Sequence, residues 1–362
     1  MKLYIVHCHF DRNYYIIHMK KCALCLENEA TETNTHFLTD FITKRALNEN
    51  GSNERGKTLS FDKSTNNPFT TVSFKGASPE KLFEVHGRET TDEEIERSKT
   101  ETDFSVDEVF CPSCEKRFGI IETGFANKFL SKMRMNASLE KASVVEFKKE
   151  VKLFRLFWLM QVWRTAICSE EVNLSSKCSE KLRKLIFEGL NTDENEVKAF
   201  PLSITLLYSG TKAEDQTAND VGYTDDKCPI VIYMNEFVIQ FYEDESQIFF
   251  FDFYGLNDPD TYKSFINYKE ETFRVKVMSA DEKKAHQDAY NEYINMQWTR
   301  FYQQCFIDIW TSKIGYLPPY ELQEEFIESL MNFKDIPLGQ TLSIERVVDF
   351  TAKFIAKKVG LI

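Results

Sequence analysis

The chain has 362 residues, of which 42% are hydrophobic, with 31 Phe and 15 Tyr but 13 Gly and 9 Pro. This length exceeds one ordinary hydrophobic core, so two or three subdomains are expected, and the composition argues against long disordered tracts. A net charge of −12 argues against a protein whose whole surface binds nucleic acid, although it leaves room for a local basic patch. An odd number of cysteines, 9 in all, no signal peptide and no apolar run of about 20 residues predict a cytoplasmic protein without a membrane partner.

The first predicted elements are two short strands, 3–10 and 14–19, joined by a tight turn. Alternation along the first strand places His7 and His9 on the face opposite Cys8. A metal site built from His7, Cys8, His9 and His18 would therefore need a bulge in the strand. The interpretation is a hairpin with ordinary polar faces that leads directly into Cys22.

Two C-x-x-C pairs follow, Cys22–Cys25 and Cys111–Cys114. Each pair can offer two thiolates to one tetrahedral ion from a tight turn, so the two pairs together predict a structural zinc site. The gap between them is 85 residues (26–110), against about 15–20 in compact zinc ribbons, so this segment must leave the site and return. Two alternatives stay open, four reduced buried thiols and a redox pair, although neither pair lies in a recognisable strand-to-helix unit.

A short helix is predicted to begin near Thr39, and His36 stands just before it, 11 residues after Cys25. This layout resembles the HNH nuclease fold, a ββα-metal (treble-clef) unit. More narrowly, it resembles bacterial HNH-like proteins with C-x-x-C, a Ser-His-Ile-Ile-Pro-like stretch, C-x-x-C-Glu and a helix containing Leu-Trp-Arg. The resemblance covers roughly residues 20–190, and the matching stretches are Cys22–Cys25, Thr35-His36-Phe37-Leu38, Cys111-Pro-Ser-Cys114-Glu115 and Val162-Trp163-Arg164.

The resemblance implies an HNH-type endonuclease acting on DNA or RNA, often as part of bacterial defence. Zinc would be structural, Mg²⁺ or Mn²⁺ would be the catalytic ion, and His36 would be the general base. The sequence departs from the pattern because no Pro follows His36 and the central Asn and terminal metal-binding His are missing. Glu115 or Glu122 can supply the oxygen ligand that the hydrolytic ion needs. In the other interpretation, His36 packs beside the first cysteine pair or hydrogen-bonds a zinc thiolate.

The segment between the cysteine pairs contains a full match to the Walker A string, from Gly51 to Thr58. A phosphate-binding loop follows a buried strand and opens a helix, whereas a polar stretch precedes this string and a strand-like stretch follows it. The interpretation is a polar turn that leads into a strand pair, 57–61 and 69–74. Nucleotide binding is the weaker alternative.

After the second cysteine pair the charge reverses, with eight Lys or Arg against three Glu between residues 126 and 155. This stretch is the best candidate for a surface that contacts nucleic-acid phosphates. The alternative is an ordinary charged helix face. The predicted nucleic-acid-binding residues are Lys128, Lys132, Arg134, Lys148 and Lys149.

The strongest helical pattern in the chain runs from Val144 to Cys168, and it is apolar nearly all round in its second half. Such a helix is expected to be buried between layers, as the spine of the protein. Arg164 lies inside it and must find a carboxylate or carbonyl partner, because an unpaired buried charge is prohibitive. A second helix is expected at 179–189, followed by a polar linker at 191–196.

Beyond that linker the hydrophobic period changes from 3.6 to 2, which predicts an antiparallel sheet. Three helices then close the chain, and the aromatic stripe of the first of them is interpreted as core. The predicted strands are 200–208, 230–234, 236–242, 247–253 and 273–277, and the predicted helices are 281–312, 320–332 and 344–359.

The sequence thus predicts an α+β protein with an N-terminal four-cysteine zinc treble-clef/HNH-like unit, a central buried helix and a C-terminal antiparallel sheet with helices. The predicted domains are 1–140 with a long insertion at 48–108, a helical spine at 141–195, and 196–362. Two functions are carried forward. One is a metal-dependent endonuclease with His36 and Glu115 as catalytic residues. The other is a non-catalytic, zinc-stapled module whose C-terminal domain binds a protein partner.

Overall fold

A computed structural model of the chain describes residues 20–48, 58–62, 68–69, 71–100, 104–208, 220–224, 228–248, 263–334 and 336–361. The fold is α+β. The strands of the described part are β1 (Thr35–His36), β2 (Thr58–Asp62), β3 (Thr71–Lys75), β4 (Ser105–Val106), β5 (Val144–Phe147), β6 (Leu202–Leu207), β7 (Val221–Tyr223), β8 (Ile230–Met234), β9 (Phe237–Phe241) and β10 (Phe273–Met278). The α-helices are α1 (Asp40–Leu47), α2 (Pro79–His86), α3 (Asp92–Thr100), α4 (Pro112–Phe125), α5 (Ser131–Arg134), α6 (Val151–Cys168), α7 (Ser176–Glu188), α8 (Glu194–Lys198), α9 (Ala280–Ile314), α10 (Tyr320–Leu330) and α11 (Ile344–Lys358).

The central sheet has six strands in the order β5-β10-β6-β9-β8-β7. Its pairings are antiparallel, as the sequence predicts, except that β6 and β10 run parallel, with Val275 opposite Ile204. The parallel pair arises because β10 inserts between β5 and β6 instead of adding to an edge. One face of the sheet carries fully buried aliphatic residues that join the main core, including Ile204, Ile239 and Val275.

Helix α6 is the centre of that core, and every residue from Leu153 to Thr165 is buried. The structure differs from the sequence prediction at the start of this helix. Residues Val144–Phe147 form β5, which pairs with β10, and Glu150 then adopts a φ of 58° before the helix begins. In β5 the exposure alternates with period 2, because Val144 and Glu146 face solvent while their neighbours are half-buried. The β-branched residues therefore favour an edge strand over a first helical turn.

Two further elements have bounds that differ from those predicted. The helix predicted at 179–189 begins earlier, at Ser176, where the side chain of Ser175 accepts a hydrogen bond from the Cys178 backbone N–H as an N-cap. The linker predicted at 191–196 contains the start of α8 (Glu194–Lys198). Asp193 caps this helix in the same way, so a polar stretch that reads as a loop forms a capped helical turn.

The last three helices form a second core. The buried stripe of α9 repeats every four residues, which gives one apolar face to a helix of 35 residues. Helices α10 and α11 pack on this stripe, with the Phe306 and Phe326 rings stacked at 4.3 Å and Phe326 and Phe354 in edge contact at 5.3 Å. The stripe consists of Ile294, Trp298, Tyr302, Phe306 and Trp310.

The segment between the cysteine pairs rests on these C-terminal helices. Its strand pair β2–β3 forms as predicted. Phe69 meets the ring of Tyr302 edge-on at 6.2 Å, and the Tyr302 hydroxyl donates a hydrogen bond to the Pro68 carbonyl. Gln340 likewise donates to the backbone carbonyl of His86. The chain therefore leaves the cysteine site, packs on the second core and returns.

Some predictions fall outside the described residues: the opening hairpin at 3–19, the Walker-like string up to Lys57, and most of the strand expected at 247–253. Among the described helices, none combines the length and the apolar character needed to cross a bilayer.

Candidate metal centre

The first cysteine pair lies in the turn of a short hairpin. Lys21 and Glu29 form an antiparallel bridge, and the Cys22 backbone N–H donates to the Asn28 carbonyl over 2.8 Å. Inside the turn, the Leu26 N–H donates back to the Cys22 carbonyl over 2.9 Å, and Leu26 adopts a φ of 62°. This left-handed residue reverses the chain directly after Cys25, so both thiols of the pair point to the same side.

The second pair opens helix α4. Cys111 is the N-cap residue, Pro112 occupies the first helical turn, and the Cys114 N–H donates to the Cys111 carbonyl over 3.0 Å. Proline is well tolerated at this position because its missing N–H would have no helical partner there. Cys111 lies at the N-terminal, positive end of the helix dipole, which favours its thiolate form.

The four cysteine sulfurs converge, since the ligand atoms of Cys22, Cys25, Cys111 and Cys114 all lie within 4.8 Å of one another. The sulfurs of Cys25 and Cys111 are 3.9 Å apart. Tetrahedral coordination with metal–sulfur bonds of about 2.3 Å requires sulfur–sulfur distances of about 3.8 Å. A disulfide requires about 2.05 Å, and all four residues are free cysteines. The cluster can therefore hold a metal ion.

Backbone hydrogen bonds close the gap between the two pairs. The Ala23 N–H donates to the Val109 carbonyl over 3.0 Å, and Glu32 and Glu108 are joined by a further backbone bond of 2.8 Å. Strand β1 pairs with β4 just before the second cysteine pair. From the other side, the Arg183 guanidinium of α7 donates to the Leu24 carbonyl over 2.7 Å and braces the turn.

The polar neighbours of the sulfurs favour ionisation of Cys111. Burial by itself raises its pKa, but hydrogen bonds from Ser113, from the Cys114 backbone and from Asn28 lower the pKa of the Cys111 thiol to about 6. Asn28 also donates its backbone N–H to the Cys25 sulfur over 3.5 Å. Burial raises the pKa of Cys22 and of Cys114. A metal ion would supply the positive charge that deprotonates these two thiols.

His36 lies on β1 and is half-buried. Strand β1 pairs antiparallel with β4, and α4 follows β4 in the chain. The backbone carbonyl of His36 accepts a hydrogen bond from Arg164 of α6. The same guanidinium forms an ion pair with Glu122 of α4 at 2.7 Å, which confirms the internal partner predicted for Arg164. Glu122 also accepts a hydrogen bond from the Thr39 hydroxyl over 2.8 Å. This network ties β1 and the start of α1 to both helices.

Glu115, the other predicted catalytic residue, follows Cys114 on α4 and is half-buried. Burial raises the pKa of its carboxyl, and the nearby charge of Glu122 adds to this effect, while Arg164 and a hydrogen bond from Thr35 oppose it. One carboxyl oxygen of Glu115 is buried and accepts no hydrogen bond from the described residues.

The predicted phosphate-facing residues do not form one free basic surface. Arg134 is turned inward, because it forms an ion pair with Glu236 and donates to the Phe41 carbonyl. Lys128 pairs with Glu150 at 2.7 Å. The remaining three, Lys132, Lys148 and Lys149, are exposed, with Lys148 3.7 Å from the Glu146 carboxylate.

Sequence reasoning missed the side chains that surround the cluster. Asn28 could have been found from the sequence as a polar residue three positions after Cys25. A side chain at that place in the turn can donate hydrogen bonds to the cysteine sulfurs. No local signal marks Arg183, which lies on a separate helix and reaches the first pair only in the folded chain.

Comparisons with known proteins add no relative: no family model, no curated protein and no solved structure matches this chain. The four-cysteine cluster is the part of the HNH resemblance that the structure supports, and no relative supports the nuclease part.

Proposed function

We propose that the chain is a non-catalytic protein-interaction module. In it, a structural Zn²⁺ joins the hairpin that contains Cys22 and Cys25 to helix α4. The observation that carries this proposal is the convergence of four cysteine sulfurs within 4.8 Å. Four thiolates complete a tetrahedral shell and leave no position for water or substrate, as in structural zinc sites. Such a site belongs in a reducing compartment such as the cytoplasm.

The surroundings of His36 support a structural role. Glu122 is already bound by Arg164 and Thr39, so a divalent ion would have to displace an internal ion pair. Breaking a buried pair costs about 3–5 kcal/mol, which weakens this carboxylate as a ligand for a catalytic ion. The pairing of Arg134 and Lys128 with glutamates likewise reduces the charge available to nucleic-acid phosphates.

Metal analysis and a cleavage assay test the proposal together. Purified protein should contain about one equivalent of zinc, and neither the wild type nor His36→Ala should nick DNA or RNA with Mg²⁺ or Mn²⁺. If His36 supports the zinc site, its replacement should weaken metal retention about 10–100-fold. Zinc-free protein with reduced thiols, or cleavage by the wild type, would contradict the proposal.

The second candidate is the metal-dependent HNH-like endonuclease. A role in bacterial defence is implied by the resemblance alone. The antiparallel pair β1–β4, which carries His36 and is followed by α4, favours this candidate. The oxygen of Glu115 that accepts no hydrogen bond from the described residues favours it too. His36 would be the general base, and Glu115 would bind Mg²⁺ or Mn²⁺.

For this candidate, His36→Ala should abolish metal-dependent cleavage while zinc content and melting temperature stay nearly unchanged, because a catalytic base acts on the transition state. Lys148→Glu with Lys149→Glu should flatten the salt dependence of nucleic-acid binding. Cleavage that survives His36→Ala would reject this mechanism but not the zinc site.

A further inference from the structure

The four-cysteine cluster has one edge that faces solvent. Cys25 is half-buried, whereas the other three cysteines of the cluster are at most 2% exposed. Asn28 and Ser113, which hydrogen-bond the sulfurs of this edge, are both exposed. A small reactive molecule in solution therefore reaches the sulfur of Cys25 before the other three sulfurs.

Cys111 is the cysteine beside this accessible thiol, and its sulfur lies 3.9 Å from the Cys25 sulfur. Asn28 contacts both sulfurs, because its backbone N–H donates to Cys25 over 3.5 Å and its side-chain amide donates to Cys111 over 3.6 Å. The same amide donates to the Ser113 hydroxyl over 3.3 Å, and that hydroxyl lies 3.1 Å from the Cys111 sulfur. A disulfide between Cys25 and Cys111 requires the two sulfurs to approach by about 1.9 Å.

We propose that Cys25 is an oxidation site, at which hydrogen peroxide converts Cys25 and Cys111 to a disulfide and the protein loses its zinc. This inference rests on the proposed function, because it concerns regulation of the same zinc site. The disulfide removes two of the four thiolates, and the remaining pair, Cys22 and Cys114, is too small a ligand set for a structural zinc ion. It also joins positions 86 residues apart in the chain, so the hairpin stays linked to α4 without the metal.

The oxidation proceeds in two balanced steps. First, the Cys25 thiolate attacks one oxygen of the peroxide, an S–O bond forms, the O–O bond breaks and hydroxide leaves. The Cys111 thiolate then attacks the sulfur of the resulting sulfenic acid, an S–S bond forms, the S–O bond breaks and a second hydroxide leaves. Solvent protonates both hydroxides to water. The two cysteines together lose two electrons, and the peroxide gains them.

Two other disulfides compete with this one, one within each C-x-x-C pair. The pair Cys111–Cys114 lacks the accessible thiol. The pair Cys22–Cys25 contains it, but Cys22 is fully buried, and its sulfur is surrounded by backbone N–H groups and the Cys114 thiol. The position of the disulfide therefore distinguishes attack at the solvent-facing edge from oxidation within one pair.

Peroxide treatment of the zinc-loaded full chain tests the proposal. Free thiols are blocked with iodoacetamide at intervals, disulfides are mapped by mass spectrometry, and released zinc is measured with a chelating dye. We expect the Cys25–Cys111 disulfide to form in step with release of about one equivalent of zinc. Dithiothreitol with added zinc should restore the metal. A disulfide within either C-x-x-C pair, or zinc retained after the disulfide has formed, would overturn the proposal.

Replacement of single ligands by histidine tests which thiol reacts, since sites with three cysteines and one histidine also hold zinc. Cys25→His should release zinc at least about tenfold more slowly than the wild type, because the accessible thiolate is gone. Cys22→His keeps Cys25 and Cys111 and is the matched control, with release at about the wild-type rate. Cys305→Ser, outside the cluster, should also match the wild type. Equal rates in the two histidine variants would contradict the assignment of Cys25.

The wild-type disulfide map decides the proposal even if a histidine variant does not fold. Zinc-loaded protein whose four cluster thiols stay free in peroxide rejects the oxidation site and leaves the zinc site standing. Zinc-free protein with reduced thiols rejects the proposed function itself. Oxidised wild type should also melt at a higher temperature than zinc-free Cys111→Ser, because the disulfide still links the hairpin to α4.

Discussion

Helices α6 and α9 are both rich in aromatic residues, but they occupy opposite environments. From Leu153 to Thr165 every residue of α6 is buried, between the sheet on one side and α4 and α7 on the other. Helix α9 is almost twice as long and buries one stripe, while Phe301 and Ile309 on its other faces are more than 40% exposed. The first helix holds the fold together, and the second leaves surface for contacts.

The polar residues of α6 show how complete its burial is. Gln161 donates to the Thr39 hydroxyl over 2.7 Å, and Arg155 donates to the Phe200 carbonyl over 3.3 Å. Burial lowers the pKa of Arg155 to about 10. Because these side chains turn to the protein interior, α6 cannot present a binding surface.

The largest expected effect is loss of the proposed zinc site, whose four cysteines join the hairpin of Cys22 and Cys25 to helix α4. Cys111→Ser removes one of four ligands, and structural zinc contributes on the order of 10–16 kcal/mol in small domains. We expect loss of zinc, with a lower melting temperature or poor expression, measured by elemental analysis and thermal unfolding. Cys305→Ser, a thiol of α9 outside the cluster, is the matched control and should retain zinc. Full zinc content in Cys111→Ser would refute a four-cysteine site.

Next comes the aromatic packing of α6. Trp163 is fully buried and lies against Phe110. Trp163→Ala should lower the free energy of unfolding by about 3–5 kcal/mol, because a cavity replaces the indole. The matched change Phe301→Ala, at a side chain of α9 that is 41% exposed and meets Phe69 edge-on at 6.1 Å, should cost less, about 0.5–1.5 kcal/mol. Denaturant unfolding of both variants measures the difference. Equal losses of unfolding free energy would contradict the contrast in burial between α6 and α9.

A comparable or slightly smaller effect is expected for the ion pair between α6 and α4. Arg164→Leu leaves Glu122 without its guanidinium and should cost about 3–5 kcal/mol. Removing both charges, with Arg164→Leu and Glu122→Leu, should recover much of this loss, since no stranded carboxylate remains. A change within about 0.5 kcal/mol in the single variant would mean that Arg164 faces water.

The smallest effect is expected on the exposed side of α9. Ile309→Ser should change the free energy of unfolding by no more than about 0.5 kcal/mol, because the side chain is 42% exposed. Thermal unfolding measures this directly. A loss above about 2 kcal/mol would indicate that another part of the protein covers this face, and the contrast with α6 would then disappear.

Local pattern was enough to predict most elements of the C-terminal half. Helix α9 and strands β8 and β9 lie where periodicity predicts them. In the N-terminal half, the four cysteines form the cluster that the C-x-x-C spacing predicts. These signals are local, since a helix face or a thiolate pair is encoded within a few residues. The start of α6 was predicted wrongly because the preference of Val144 and Val145 for a strand is satisfied only by β10, more than 120 residues later. The predicted domain boundaries and catalytic residues stay predictions.

The sequence by itself determined the α+β class, the four-cysteine cluster and the need for a partner to Arg164, because residue type and short-range spacing dictate these features. Only the tertiary structure decided that Glu122 is that partner, that Arg134 turns inward to Glu236, and that the segment between the cysteine pairs packs on α9. The physical reason is that a buried charge or ring must find its partner in space, and many positions along the chain satisfy the same chemistry equally well. Packing then selects one of them.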